Sequence, residues 1–418
     1  MAGHNRSMAA SSEGAASSNL WDAIVVGAGP AGCAAAYDLA ALGRRVLLLD
    51  RASFPRTKAC AGGLTMKAVH ALRYPIDPVV RLWVRSIDLE GPGEERRTVA
   101  RRSPACAMTV REELDHFCLG KTLERGAQFQ RIASLQAIER SVDRVTVSCS
   151  DGRQFAARFV IGADGVHSAV RSLCCPHAAQ SEGGWFRKGF ALEANVAYRR
   201  KGEQYPLVFD FAPERVGPLR GYGWLFPRDN HVNVGLYTED TENRTGSGVS
   251  VPTLNRARLD AYIAARCGAG CEVSSPVGQF LGFGAAAYLP PANTRVLLVG
   301  DAAGFVDPLT GEGIYGAIRS GQAAASAVQA ALSVQAPGSA SYGFIAASAR
   351  LRDDLQVAEH AAARFYAKPE TGFQLLRLPL VPRVVLHAYA EGLSLSHLLR
   401  GVRLARRLLP GLRSGSAG

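Results

Sequence analysis

The chain has 418 residues, 47% of them hydrophobic, and 48 lysines and arginines against 36 acids give a net charge of +12. That length supports two or three domains with a substantial core, and the apolar fraction excludes a disordered or fibrous protein. The charge excess directs attention to nucleic acid or an anionic membrane surface. Nine cysteines, at positions 33, 60, 106, 118, 149, 174, 175, 267 and 271, contain no CxxC pair. Neither a disulfide scaffold nor a metal site is therefore expected, and the compartment reads as reducing and cytoplasmic. Cys267 and Cys271 lack the second ligand pair that zinc needs, and adjacent Cys174 and Cys175 read as structural.

Residues 1–19 are rich in Ala, Ser and Gly and read as a disordered tail. The apolar run from Ala23 to Gly43 has the length of a membrane span, but its glycines divide it. Ile24, Val25 and Val26 form a short strand that stops at Gly27, and a helix begins near Pro30. No transmembrane helix is expected.

This division creates Gly27-x-Gly29-x-x-Gly32, with Pro30 and Ala31 inside the turn. Gly27 permits the tight turn, Gly29 lets backbone approach a pyrophosphate, and Gly32 lets helix and strand pack closely. The helix N-terminus offers free N–H groups to the anion. A second strand ends in Asp50, followed by Arg51, where an acid can accept from a ribose hydroxyl. Strand, turn, helix and acid together predict dinucleotide binding.

Further along, Phe159-Val-Ile-Gly-Ala-Asp164-Gly is a buried strand delivering an acid. The stretch Arg295-Val-Leu-Leu-Val-Gly300-Asp301 repeats that design and leads to Pro308, Gly311 and Gly313 before a small-residue helix. Gly282-Phe-Gly284-Ala-Ala-Ala287 matches a second nucleotide motif, but Pro290 and Pro291 deny it a helix. Residues 76–104 and 181–277 are rich in β-formers and turn signals, and the pattern from 336 onward is helical.

The three ordered fingerprints resemble the FAD-dependent oxidoreductases of the para-hydroxybenzoate hydroxylase type. The resemblance implies that Asp301, after Gly300, holds the ribitol of FAD. It sets Gly311–Ile314 beside the isoalloxazine and Asp164 near the pyrophosphate. Arg111, in Thr-Val-Arg-Glu-Glu-Leu-Asp, matches the arginine such enzymes set against the phosphates. The implied fold is α/β with a Rossmann-like core. Its FAD-binding domain is discontinuous (20–75, 105–180, 278–335), with an inserted antiparallel β-sheet substrate domain (76–104, 181–277) and a C-terminal helical region (336–418).

Two segments narrow the resemblance. Lys58-Ala-Cys60-Ala61-Gly62-Gly63 and Tyr222-Gly-Trp224-Leu-Phe226-Pro227 are similar to the geranylgeranyl reductase family, which reduces isolated double bonds of prenyl chains. The sequence differs from that pattern at Ala61, where a glycine is expected, and in the position of Pro218. The family implies FAD, with NADPH or another reductant as electron donor. Ala61 and Gly62 would skirt the flavin, and Tyr222, Trp224, Phe226 and Pro227 would bound a hydrophobic or lipid substrate. In a strand, residues 222, 224 and 226 share one face, so the bland alternative is an aromatic face packed on the core.

For proton donation the candidates are Cys60, Tyr222 and an ordered water, with Trp224 alongside them at the reacting centre. Cys60 reads equally as a space-filling thiol. Lys58 reads as a solvated or phosphate-facing charge, and His231 as a turn residue. The alternative chemistry is that of a flavin monooxygenase or halogenase. The aromatic segment partly resembles a halogenase motif, but the lysine-bearing loop halogenation needs is absent. Residues 373–413 hold seven arginines against one acid, Glu391. A helix from Ser394 would be amphipathic and basic, suited either to a membrane interface or to packing on the core. No nucleic-acid motif accompanies it.

Overall fold

In a computed structural model, residues 20–178, 184–197, 206–239, 254–378, 380–392 and 394 are described. Chain order produces two seven-stranded sheets and a small three-stranded one. The first sheet is largely parallel at its centre. Leu20–Val26 lies between Val46–Asp50 and Gln154–Gly162, and both pairings are parallel. Gln128–Arg131 extends the sheet beside Val46–Asp50. The long strand Gln154–Gly162 is shared along its free edge. Its first half pairs antiparallel with Val145–Cys149, and its last residues pair parallel with Val296–Leu298.

These central strands are almost continuously apolar because helices cover the sheet. Ile24, Val25, Leu47, Leu48, Val160, Ile161 and Leu297 are fully buried. Helix Pro30–Ala41 packs against helix Ile314–Ser333 through small residues. A Cβ on Gly321 would stand 2.2 Å from the Ala31 carbonyl oxygen, so the close crossing requires glycine there. Four parallel strands thus end at the same edge. Their carboxyl ends deliver the Gly27 turn, Asp50, Ala163–Gly165 and Gly300–Asp301, which is where open α/β sheets bind ligands.

The second sheet runs Val277–Phe283, Arg187–Val196, Val232–Thr238, Gly221–Pro227, Leu207–Asp210, Ser86–Glu90, Arg96–Ala100. All its pairings are antiparallel except that of Leu207–Asp210 with Ser86–Glu90. Two boundaries differ from the sequence expectation. Val80–Val84, inside the stretch assigned to the inserted sheet, instead joins Cys106–Thr109 and Gly63–Thr65 in the small sheet. Val277–Phe283 begins one residue before the expected boundary and closes the inserted sheet's edge. Gly282, within the rejected nucleotide motif, lies in this strand, and turn follows it rather than helix.

The C-terminal region is helical, with Ser339–Ala367, Pro369–Leu376 and Val381–Glu391. It is not an appendage. Ala362, Tyr366, Leu386 and Ala390 are buried in one cluster with Phe209, Tyr222, Trp224 and Phe226 of the inserted sheet. The expected basic amphipathic helix over Leu395–Leu409 lies outside the described residues. Among those described, no helix is long and apolar enough to cross a membrane.

A two-part crevice as candidate active site

Two cavities meet at the carboxyl edge of the parallel sheet and share Pro30, Lys58, Ala59, Gln279, Asp301 and Ala317 as lining. The larger has a volume of about 550 Å³ and the smaller about 150 Å³.

The larger cavity is bounded by Gly27, Gly29, Pro30, Ala31, Asp50, Arg51 and the loop around Asp164. Gly27 has φ +102°, and a Cβ there would sit 2.3 Å from the Ala163 carbonyl oxygen. Gly32 does not line the cavity; its missing side chain lets the helix sit on the Gly27 carbonyl, 1.8 Å from a Cβ position. Gly29 is open toward the cavity, with only Arg56 near its Cβ position at 3.5 Å. Asp50 accepts from the Ala28 and Ala52 N–H groups at 2.7 and 2.8 Å, which ties the turn to the second strand.

Asp164 is at the cavity, but its carboxylate is turned away. It accepts from the Ser168 hydroxyl at 2.5 Å and the Val170 N–H at 3.1 Å, capping the helix Ala169–Cys174. The loop's backbone, rather than this side chain, would be the part offered to a pyrophosphate bound at the Gly27 turn.

The arginines also divide differently from expectation. Arg111 is buried on the smaller cavity, which Cys60 also lines, and is held bidentate by Asp115 with both contacts at 3.0 Å. Arg56, which the sequence did not single out, stands beside Gly29 on the larger cavity and reaches the same Asp115 at 3.0 Å. Asp115 therefore bridges two guanidiniums and cannot cancel both charges, which leaves Arg56 a cation beside the Gly29 turn. Lys58 is half-buried. It lines both cavities, where burial and the nearby Arg111 push its pKa down against the pull of Asp301.

The smaller cavity is walled by the inserted sheet. Tyr222, Trp224 and Phe226 all line it; Pro227 ends the strand without reaching it. Trp224 and Glu193 both stand opposite Gly235 in register, so the three share a face. Gly235 leaves room for the indole, since a Cβ there would meet Trp224 at 2.2 Å. The indole N–H donates to Asn233 Oδ1 at 2.7 Å. The Tyr222 hydroxyl donates to the Thr310 carbonyl at 2.5 Å, and burial pushes its pKa well up. Both residues have their exchangeable protons engaged, which suits walls better than acids. Tyr237 holds the Pro308 carbonyl at 2.8 Å and Tyr366 holds that of Leu309. Three tyrosine hydroxyls thus pin the consecutive carbonyls of residues 308–310, directly before Gly311.

The opposite wall is the loop Lys58–Gly63 together with Gly311, Glu312, Gly313 and Ile314. Gly62, at φ +71°, sits against the Thr109 carbonyl, and its N–H points to Cys60 Sγ at 3.4 Å. Arg228 holds the loop by the Ala61 carbonyl at 3.0 Å and reaches His231 Nε2 at 2.9 Å. His231 is thus a partner of the loop's anchor as well as a turn residue. Glu312 pairs with Lys67 at 2.6 Å and accepts from the Thr65 hydroxyl at 2.5 Å. Gly300 and Pro308 stand just behind the lining, and the Gly300 N–H is held by Ser320 at 2.9 Å. No group of three or more metal-ligating side chains is found among the described residues.

A glycine turn at a helix N-terminus, a neighbouring arginine, a buried acid at Asp301 and an aromatic recess in one continuous crevice fit an extended FAD. Comparison with known proteins agrees. Residues 22–369 match the family model described as Lycopene cyclase protein. A menaquinone reductase of Mycolicibacterium smegmatis is 30% identical over 321 residues, covering 73% of this chain and 75% of that protein. A geranylgeranyl diphosphate reductase of Rhodobacter capsulatus is 28% identical over 329 residues, covering 75% of this chain and 76% of its own. The chain belongs to the geranylgeranyl reductase family of FAD-dependent oxidoreductases.

The fold agrees as well. The crystal structure of a geranylgeranyl bacteriochlorophyll reductase-like protein from Thermoplasma acidophilum superposes with a TM-score of 0.73 at 18% identity, covering 94% of this chain and 99% of that one. In a member of this family, Gly27–Gly32, Asp50, Arg56 and Lys58 would hold the dinucleotide part of FAD. Asp301 and Gly311–Ile314 would hold the ribitol and ring part. The sequence missed Arg56, Glu193, Glu312, Tyr237, Tyr366 and Tyr389. Glu193 carried a readable signal, as a lone acid in an apolar strand; Tyr389 lies some 330 residues from Cys60 and carried none.

Proposed function

We propose that this reductase saturates C=C bonds in a prenyl or otherwise hydrophobic substrate, with NADPH or another reductant as the electron source. The observation that carries the reading is the aromatic face of the inserted sheet, set across a narrow cavity from Gly311–Ile314 and Cys60. A hydrocarbon offers no polar handle, so apolar area and shape must bind it. Relatives named for geranylgeranyl diphosphate and menaquinone, both of which carry prenyl chains, support the same class. Bound and reduced FAD supplies hydride chemistry. The protein's share is to lay the alkene along Tyr222, Trp224 and Phe226, exclude water, and hold a proton on the opposite side.

The test is anaerobic. The flavin is bleached with NADPH or dithionite, and prenyl lipids are offered to the reduced protein. Re-oxidation with formation of a saturated product is expected. Turnover that requires O₂ and yields an oxygenated product would replace this reading with the hydroxylase or halogenase alternative.

A peripheral contact with an anionic lipid surface through residues 373–413 belongs to the same proposal. Leu378, Leu380, Val384 and Val385 are exposed on the segment that also presents Arg383, and Tyr389 of the same helix lines the cavity.

A further inference from the structure

Three carboxyl groups line the smaller cavity: Glu193, Asp301 and Glu312. They differ in what neutralises them. Glu312 is ion-paired to Lys67 at 2.6 Å. Asp301 lies in the fields of Lys58 and Arg111, at the position expected for the ribitol chain. Glu193 is 6% exposed and forms no ion pair among the described residues. Its Oε1 accepts the Cys60 backbone N–H at 2.8 Å, which brings the carboxyl to the reactive loop. Across Gly235 it shares its sheet face with Trp224.

We propose that Glu193 is held as the neutral acid and is the proton donor of the cavity. This rests on the alkene-reductase reading given above. Saturating a C=C bond takes one hydride and one proton. The reductant accounts for the hydride, which forms the first C–H bond. The Glu193 O–H bond then breaks, its proton forms the C–H bond at the second carbon, and the electron pair stays on the carboxylate. Water re-protonates the carboxylate when product leaves.

Groups from four parts of the fold face Glu193. Cys60 faces it from the loop, Arg111 from helix Arg111–Glu124, Asn233 from the adjacent strand, and Arg228, with His231 beyond, from the strand end. Arg228, Arg111 and Asn233 favour the carboxylate, as does the bond from the Cys60 N–H. Burial outweighs them and pushes the pKa up. Tyr222 is a poorer donor, because its proton is engaged by a carbonyl and its pKa is raised far above the working range.

Glu193→Gln separates proton supply from structure, since the amide oxygen still accepts the Cys60 N–H. Two readouts are needed on the FAD-loaded protein. In infrared difference spectra between acid and alkaline pH, a carboxylic-acid C=O band present in the wild type should be absent from Glu193→Gln. In anaerobic stopped flow, re-oxidation of the reduced variant by a prenyl lipid should slow by ~10²-fold or more, with dithionite reduction and lipid affinity within a few-fold of wild type. An unchanged band, or a wild-type re-oxidation rate, overturns the proposal. A wild type that no prenyl lipid re-oxidises overturns the reductase reading instead, and the infrared band then decides alone whether Glu193 holds the proton.

Discussion

At its larger end the crevice is made chiefly of backbone: the Gly27 turn, the Ala163–Gly165 loop and the ends of parallel strands, with Arg56 and Asp50 as the main charged additions. At its smaller end it is walled by side chains, namely Tyr222, Trp224, Phe226 and Tyr237 from the inserted sheet and Tyr389 from helix Val381–Glu391. A backbone surface recognises phosphate through N–H groups and helix ends, without reference to side chains. A side-chain surface can change shape without disturbing it. Cofactor and substrate selection are therefore separable here, and substitutions at the two ends should fail in different ways.

The largest effect is expected at the backbone end. Gly27→Val places a branched side chain at a positive φ and against the Ala163 carbonyl. Purified protein should lack flavin absorbance and lose more than ~1 kcal/mol in denaturant unfolding. At the side-chain end, Gly235→Ala drives a methyl into the Trp224 ring and should cost ~1–3 kcal/mol. Its flavin spectrum should persist while KM for a prenyl lipid rises. A Gly235→Ala protein that emerged colourless would break the proposed separation.

Tyr222→Phe should cost ~0.5–1.5 kcal/mol by releasing the Thr310 carbonyl. Because its proton is engaged there, kcat should stay within a few-fold of wild type in steady-state assays. A loss comparable to that of Glu193→Gln would return Tyr222 to the role of acid. For the lipid contact, Arg383→Glu should weaken co-sedimentation with vesicles rich in anionic lipid while leaving flavin content unchanged.

The smallest effect concerns pH. Burial raises the Glu193 pKa in the folded protein above its unfolded value, so folding takes up protons in that window. The stability the protonated group contributes is whole below the ordinary glutamate value and is lost as pH rises through the raised one. The Tm difference between wild type and Glu193→Gln should therefore move against the wild type from acid toward alkaline pH. Asp151 supplies the opposite sign on the exposed side of the parallel sheet. Its bond to Arg153 holds its pKa down to about 2, so its contribution persists above the ordinary aspartate range and fades only as pH falls toward that value.

How much of this was legible from sequence depended on distance along the chain. The glycine turn, the strand before it and the acid at Asp50 lie within residues 20–50, so local rules of turn, helix and strand suffice to read them. The aromatic row at 222, 224 and 226 was legible as one face of a strand. Its neighbour on the same sheet face, Glu193, was not, because pairing Glu193 with Gly235 and Gly235 with Trp224 is a matter of strand register. The direction of the Asp164 carboxylate was equally hidden, since nothing in Gly-Ala-Asp-Gly tells whether an acid faces a cofactor or caps the next helix.

Two strands, Val80–Val84 and Val277–Phe283, fell elsewhere than expected, but by itself the sequence determined the family and an α/β fold with a separate sheet. Those features follow from short-range steric and hydrogen-bonding rules. Only the tertiary structure decided which arginine serves which cavity, which carboxyl is ion-paired, and that Tyr389 of the C-terminal region lines the site while Tyr366 braces it through the Leu309 carbonyl. Burial and ion pairing depend on what lies opposite in space, and for these residues the opposite group is tens to hundreds of positions away along the chain.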